Sequence, residues 1–131
     1  MSFHFYLYRA PKGAGPMNAW QGMHAEAMGT LAQVRERLDA VFPGLKWNEV
    51  AGSWNGMGSD PLQYYLDIWL REEPDGQVRF VVMNKAPPSA MRAVLEALAL
   101  NHVCDPEAGE LVDVYAYGDD DRHYAKVARR N

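Results

Sequence analysis

The chain has 131 residues, 48% of them hydrophobic and 23% charged, which is the composition of one globular domain with a sizeable core. Its formal charge is −4 at pH 7, and residues 51–117 contain ten acidic but only four basic groups, a balance that opposes binding to nucleic acid. The N-terminus has no basic segment ahead of an apolar one and there is no run of about 18 apolar residues, which predicts a soluble, unexported cytoplasmic protein that does not bind membranes.

The first part of the chain predicts a strand, a loop and a helix. Residues 3–8 alternate with a period of two, which is typical of an amphipathic strand, and a Gly- and Pro-rich loop follows. Residues 18–28 are compatible with a helix or with irregular structure, because Gly22 weakens a helical pattern. Thr30 and Gln33 fit a capping box, so a helix is expected to begin there and to stop at the following Pro-Gly pair.

The middle of the chain predicts two strands and a hairpin. Residues 45–50 form a short candidate strand. Residues 63–70 form a longer one, with Tyr64, Leu66, Ile68 and Leu70 on the core side. Asp67 lies on its opposite side, where truncation to Ala is expected to cost less than about 1 kcal/mol. The turn sequence REEPDGQ predicts that residues 78–83 return as the second strand of a hairpin.

The last part predicts a helix that starts at Pro87-Pro88 and ends near Asn101, then strands at residues 102–105 and 111–117. Residues 118–131 lose the apolar rhythm and are expected to be a short helix or a frayed tail. The whole chain, residues 1–131, is thus one α+β domain. We expect an antiparallel sheet with two helices on one face, in the order β-α-β-β-α-β with one or two extra short strands, ferredoxin-like or a variant of it.

A glycine-rich run, residues 51–61, surrounds the single large apolar side chain of Trp54. Three glycines and a proline in eleven residues favour a surface loop that carries an indole. Such an indole either anchors a partner protein or folds back onto its own domain. The first interpretation makes Trp54 a binding residue, and the second makes it part of the core.

The sequence contains no complete catalytic or metal-binding motif. His102 and Cys104 are two residues apart on a predicted strand and would point the same way, but no second pair of ligands accompanies them, which favours a structural role. The glycines of the Trp54 run are not followed by the basic residue and helix of a phosphate-binding loop. We therefore expect no enzyme activity, no metal and no cofactor.

Three segments give a resemblance to a group of proteins. The opening SFHFYLYRAP, the helix end VFPGL and the later LEALALNHVCDPEAGELV resemble small bacterial α+β proteins that begin with an aromatic strand and end with a helix, a short strand and a D-P-[QE]-x-G turn. Asp105, Pro106, Glu107 and Gly109 occupy that turn motif here, while the run from His102 to Cys104 departs from the apolar strand of the pattern. Some members of this group resemble immunity proteins encoded beside secreted polymorphic toxins.

The resemblance implies a protein that binds and occludes a cognate bacterial toxin, and we expect a monomer or homodimer. The acidic charge of residues 51–117, not the resemblance, favours a toxin with a basic cleft. The contact residues are likewise predicted from their own chemistry and are aromatic, amide, Met and acidic side chains: Trp54, Asn55, Met57, Asp60, Tyr65, Trp69, Asp119, Asp120 and Asp121. The alternative is a small ferredoxin-like enzyme or ligand-binding protein with a pocket lined by Tyr6, Tyr8, Tyr65 and Trp69. An adaptor or structural subunit is the third class. A large aromatic-lined cavity would favour the second class over the first.

Overall fold

A computed structural model describes residues 4–59 and 65–116 of the chain. It is an α+β structure in which helices alternate with groups of antiparallel strands. The helices and strands are β1 (His4–Tyr8), β2 (Gly29–Thr30), α1 (Leu31–Val41), β3 (Lys46–Val50), β4 (Ser53–Ser59), β5 (Tyr65–Arg71), β6 (Gln77–Val78), β7 (Val81–Asn84), α2 (Pro88–Leu98), β8 (His102–Asp105) and β9 (Glu110–Leu111). The predicted tail at residues 118–131 and the predicted position of Tyr64 lie outside the described residues.

The main sheet has seven strands in the order β3-β4-β5-β7-β1-β8-β9, and every neighbouring pair is antiparallel. β2 and β6 form a separate two-stranded pair. The predicted order, β-α-β-β-α-β with one or two extra short strands, therefore omits part of the sheet. The strand expected at residues 45–50 is β3, but it forms a hairpin with β4, which was not predicted. The strand expected at residues 111–117 is shorter than predicted, because β9 includes only Leu111 of that range and residues 112–116 are not in a strand.

Both helices begin where local sequence signals predict. The Thr30 hydroxyl accepts a hydrogen bond from the Gln33 amide at 3.3 Å, and the Gln33 side chain accepts one from the Thr30 amide at 3.0 Å, which completes the capping box. Pro88 is the first residue of α2, where its missing N–H leaves no helical bond unmade. α2 ends at Leu98, earlier than predicted, and its C-cap residue Ala99 is in the left-handed conformation with φ 54°.

The core lies between the helices and one side of the sheet, which we call the helix face. Val34 and Leu38 of α1 and Met91 of α2 are buried in one cluster with the inward residues of the central strands. The predicted alternation of two strands is confirmed, because Phe5 and Leu7 of β1 and Leu66, Ile68 and Leu70 of β5 all belong to that cluster.

Residues 11–28, which we call the covering loop, pack against part of the opposite side of the sheet, the second face, around Tyr8 and Cys104. This segment contains a single 3-10 turn, Met17–Ala19, and otherwise has no helix or strand. The Trp20 indole Nε1 donates to the carbonyl oxygens of Ala14 and Gly15, at 3.0 and 3.2 Å. These bonds hold the Trp20 ring edge-on against Tyr8 of β1, and Tyr8 is fully buried.

Candidate functional site

Strand β4 replaces the surface loop that the glycine-rich run predicts. Its residues pair with β3 on one side and with β5 on the other, so β4 is an interior strand of the sheet. A Cβ atom on Gly56 would lie 2.7 Å from the nearest ring carbon of Trp47. The glycine is therefore needed because the Trp47 ring packs across the backbone at this point, which is a packing requirement and not a sign of flexibility.

Trp54 lies on the helix face of β4. Its ring is half-buried against the core, and the Arg35 guanidinium lies over it at 4.6 Å from the ring centroid. The same guanidinium is 5.3 Å from the centroid of Trp47, whose indole Nε1 donates to the Asp39 carboxylate at 2.8 Å. The structure thus gives Trp54 the intramolecular contacts of the fold-back interpretation, on a strand rather than on a loop.

Four of the predicted contact residues lie together on the second face, on adjacent strands: Asn55, Met57, Tyr65 and Trp69. Asn55 is only 6% exposed, so the prediction that it contacts a partner is wrong. We call the other three, Met57, Tyr65 and Trp69, the contact patch. Asn55 is directly opposite Trp69 in the register of β4 and β5. Tyr65 is 61% exposed and Met57 is 36% exposed, and the Tyr65 hydroxyl lies 3.7 Å from the Met57 sulfur. The patch therefore presents an exposed aromatic ring and a polarizable thioether beside each other.

A hydrogen-bonded network beneath the contact patch was not predicted from the sequence. The Asn55 amide nitrogen donates to the Asp67 carboxylate at 2.7 Å and to the Ile68 carbonyl at 3.1 Å. The Asn84 amide donates to the other Asp67 oxygen at 3.0 Å. Asn55, Asp67 and Asn84 are far apart in the sequence, and they come within hydrogen-bond distance only through the register of β4, β5 and β7.

A cavity of about 300 Å³ opens on the second face beside the contact patch. Tyr6, Trp69 and Phe80 supply its aromatic wall and Val82 lies between the strands that carry Tyr6 and Trp69. Of the four residues predicted to line an aromatic pocket, Tyr6 and Trp69 do so. The other two do not: Tyr8 is buried beneath the covering loop, and Tyr65 is exposed outside the cavity.

Buried Tyr8 and Cys104 lie beside half-buried His102 on the second face of the sheet. The rings of Tyr8 and His102 are stacked with their centroids 5.3 Å apart, and the Tyr8 hydroxyl has no hydrogen-bond partner among the described residues. Burial, with the nearby Cys104, raises the pKa of Tyr8 to about 12. Burial also raises the pKa of the Cys104 thiol and lowers the pKa of His102. A protonated, fully buried thiol is a poor nucleophile and a poor metal ligand.

The acidic residues are spread over both ends of the sheet. The acidic turn at residues 72–75 follows the end of β5, whereas Asp105 to Glu110 form the β8–β9 turn at the opposite end. The Asp105 carboxylate accepts hydrogen bonds from the amides of Glu107 and Ala108, at 3.0 and 3.3 Å, so it stabilises the turn of the D-P-E-x-G motif. Asp60 and Asp119 to Asp121 lie outside the described residues.

No three His, Cys, Asp or Glu side chains lie close enough to hold a metal ion in the ranges 4–59 and 65–116. Neither described helix is long and apolar enough to cross a membrane. Comparison of the chain with protein-family models, with curated proteins and with solved structures finds no match.

Proposed function

We propose that this protein is an immunity-type inhibitor that binds and occludes a bacterial toxin through the second face of its sheet, without chemistry of its own. The contact patch carries the proposal, because three accessible residues selected from the sequence, Met57, Tyr65 and Trp69, lie on two adjacent strands. Exposed aromatic side chains supply contact area at low entropic cost, and both aromatic residues and Met are enriched at protein interfaces. The network around Asp67 holds the patch in one conformation before a partner binds.

A ferredoxin-like core is part of this proposal. Without the β3–β4 hairpin and the two-residue strands, the chain order is β1, α1, β5, β7, α2, β8, which is a β-α-β-β-α-β unit. Its four strands are adjacent in the sheet in the order β5-β7-β1-β8. Both helices pack on one face of such a sheet, so the part of the other face that the covering loop leaves open, at β4 and β5, is available to a partner.

Occlusion would place the exposed ring of Tyr65 at the centre of the interface. The acidic excess of residues 51–117 would act at longer range, because charges at both ends of the sheet attract a basic surface during encounter. The rate of association is therefore expected to fall several-fold as salt rises from about 0.05 to 0.5 M, with a smaller change in the dissociation rate.

The product of the gene next to this one in its native genome is the first candidate partner. It should inhibit growth when expressed alone, and co-expression of this protein should restore growth. Tyr65→Ala and Met57→Ala should each weaken binding by about 1–2 kcal/mol in calorimetry without lowering the melting temperature. Arg37→Ala, an exposed position on α1, is the control that should leave binding unchanged.

Trp54→Ala separates contact from packing. Since its ring is half-buried against the core, we expect a lower melting temperature and a loss of about 2–4 kcal/mol of stability. Neighbouring gene products that are harmless, or Tyr65→Ala and Met57→Ala variants that bind as tightly as the wild type, would refute the proposed function.

A further inference from the structure

The cavity beside the contact patch has the shape of a slot. Trp69 and Tyr6 are both directly opposite Val82 in the sheet, one strand to each side of it. Adjacent strands are about 4.8 Å apart, so the two aromatic residues start roughly 10 Å apart across a much smaller side chain. Phe80 packs edge-on against Tyr6, with ring centroids 5.8 Å apart, and closes one side. A flat ring between two aromatic walls needs roughly 7 Å, which this spacing provides.

Two opposite charges share the lining of this slot. Arg71 and Glu73 both border the cavity. The ion pairs within residues 4–59 and 65–116 are Arg9–Glu26 and Arg79–Asp75, so Arg71 and Glu73 are paired neither with each other nor with another described residue. A cation and an anion that border one cavity without pairing are complementary to a ligand that carries both charges.

We propose that this cavity binds a free aromatic amino acid. The ring would lie over Val82 between Trp69 and Tyr6, the carboxylate would accept hydrogen bonds from Arg71, and the ammonium would donate to Glu73. A volume of about 300 Å³ suits one such molecule, because it stands at the lower end of the range for small-ligand sites. This site shares Trp69 and the second face with the proposed toxin interface, but it binds a different class of ligand through charged residues outside the contact patch.

The probes are L-phenylalanine and three small molecules that each lack one of its groups, and their binding is measured by calorimetry and by tryptophan fluorescence. L-phenylalanine carries the ring and both charges, phenethylamine lacks the carboxylate, 3-phenylpropionate lacks the ammonium, and L-alanine lacks the ring. L-phenylalanine should bind at least about tenfold more tightly than each of the other three, since each loses one charge-assisted or aromatic contact. No heat and no fluorescence change with L-phenylalanine up to about 10 mM would overturn the proposal.

Two charge variants give a crossed test. Arg71→Gln removes the partner of the carboxylate, so it should weaken the binding of L-phenylalanine and 3-phenylpropionate but not that of phenethylamine. Glu73→Gln removes the partner of the ammonium, so it should weaken the binding of L-phenylalanine and phenethylamine but not that of 3-phenylpropionate. Glu72→Gln is the matched control, because this neighbouring carboxylate is exposed and does not border the cavity. If both variants lost the binding of all three ring-containing probes, or if the variants bound every probe as tightly as the control, the assignment of Arg71 and Glu73 to the two ligand charges would be refuted.

A blocking variant tests the position of the ring. Val82→Phe fills the slot from below while keeping a residue suited to a strand, and it should abolish L-phenylalanine binding. Its melting temperature shows whether it still folds. If Val82→Phe does not fold, the same measurement is made on Trp69→Leu. This variant removes one aromatic wall of the cavity and should weaken the binding of L-phenylalanine at least about tenfold. Unchanged binding in a folded variant would place the ligand elsewhere. Binding of L-phenylalanine is measured on the protein without a toxin, and growth rescue is measured with the wild type, so failure of one proposal leaves the other standing. Trp69→Leu is not used in the toxin assay, because Trp69 also belongs to the contact patch.

Discussion

Substitution of Gly56 by Ala has opposite expected effects in a loop and in strand β4. In a flexible loop at ordinary backbone angles, Gly→Ala stabilises a protein by about 0.4–1 kcal/mol, because it restricts the unfolded chain. In the structure, the added Cβ would lie 2.7, 2.8 and 2.9 Å from three ring carbons of Trp47, well inside normal carbon contacts. The sign of the stability change therefore distinguishes the two structures.

The magnitude depends on how easily the Trp47 ring moves. Its indole Nε1 donates to Asp39 at 2.8 Å and Arg35 lies 5.3 Å from its centroid, so a shift disturbs contacts with α1. Overpacking of this kind costs about 1–3 kcal/mol, and we expect Gly56→Ala to destabilise the protein by that amount in urea unfolding. Gly22→Ala is the matched control, because its Cβ would meet nothing within 4 Å, and it should be neutral or slightly stabilising.

A double-mutant cycle checks the cause. In a Trp47→Ala background the clash is absent, so Gly56→Ala should cost less than about 0.5 kcal/mol, and the coupling between the two sites should account for most of the single-mutant effect. If Gly56→Ala stabilises the wild type, or destabilises it equally without the Trp47 ring, the assignment of residues 53–59 to an interior strand is wrong.

Two further predictions concern half-buried polar groups. Asp67→Ala should cost about 1.5–3 kcal/mol in urea unfolding, more than the sequence alone predicts, because the Asn84 amide loses its acceptor while Asn55 keeps the Ile68 carbonyl. Asp67→Asn keeps one acceptor oxygen for Asn55 and turns an NH2 group toward Asn84, whose buried Oδ1 has no partner among the described residues and accepts from it once the Asn84 amide flips, so this variant should cost less than about 1 kcal/mol. Equal losses in the two variants would show that charge rather than hydrogen bonding matters. Burial lowers the pKa of His102 in the folded protein below its ordinary value of 6.5, so as the pH falls the imidazole is protonated in the unfolded chain before it is protonated in the folded one. The stability that neutral His102 contributes should therefore be fully present above pH 6.5 and should decrease as the pH falls below that value. His102→Gln should flatten the melting temperature between pH 7 and 5 relative to a His24→Gln control, and an unchanged slope would rule out His102 as its source.

The sequence by itself determined the features whose causes lie within a few residues. The capping box of Thr30 and Gln33, the proline at the start of α2 and the tight D-P-E-x-G turn depend on hydrogen bonds between near neighbours. The alternation in β1 and β5 is equally local, because successive side chains of a strand point to opposite faces. These elements were predicted with the right type, and β5 was predicted with the right core side.

The tertiary structure alone decided the role of the glycine-rich run. A glycine in sequence is compatible with a flexible loop or with close packing, and only the Trp47 ring, nine residues earlier, makes Gly56 a packing residue of β4. The same strand places Trp54 on the helix face and its neighbour Asn55 on the second face. A shift of one residue in the register of β4 would exchange these two faces, and pairing with β5 fixes the register.

The candidate sites depend in the same way on contacts between distant parts of the chain. Tyr6 and Trp69 were recognised as aromatic residues of possible function, but Val82 lies between them only because β7 pairs with both β1 and β5. Arg71 and Glu73 carry no motif, and they border the cavity because β5 ends beside it. Local patterns fix which residues form strands, while the order and register of the strands decide which side chains meet.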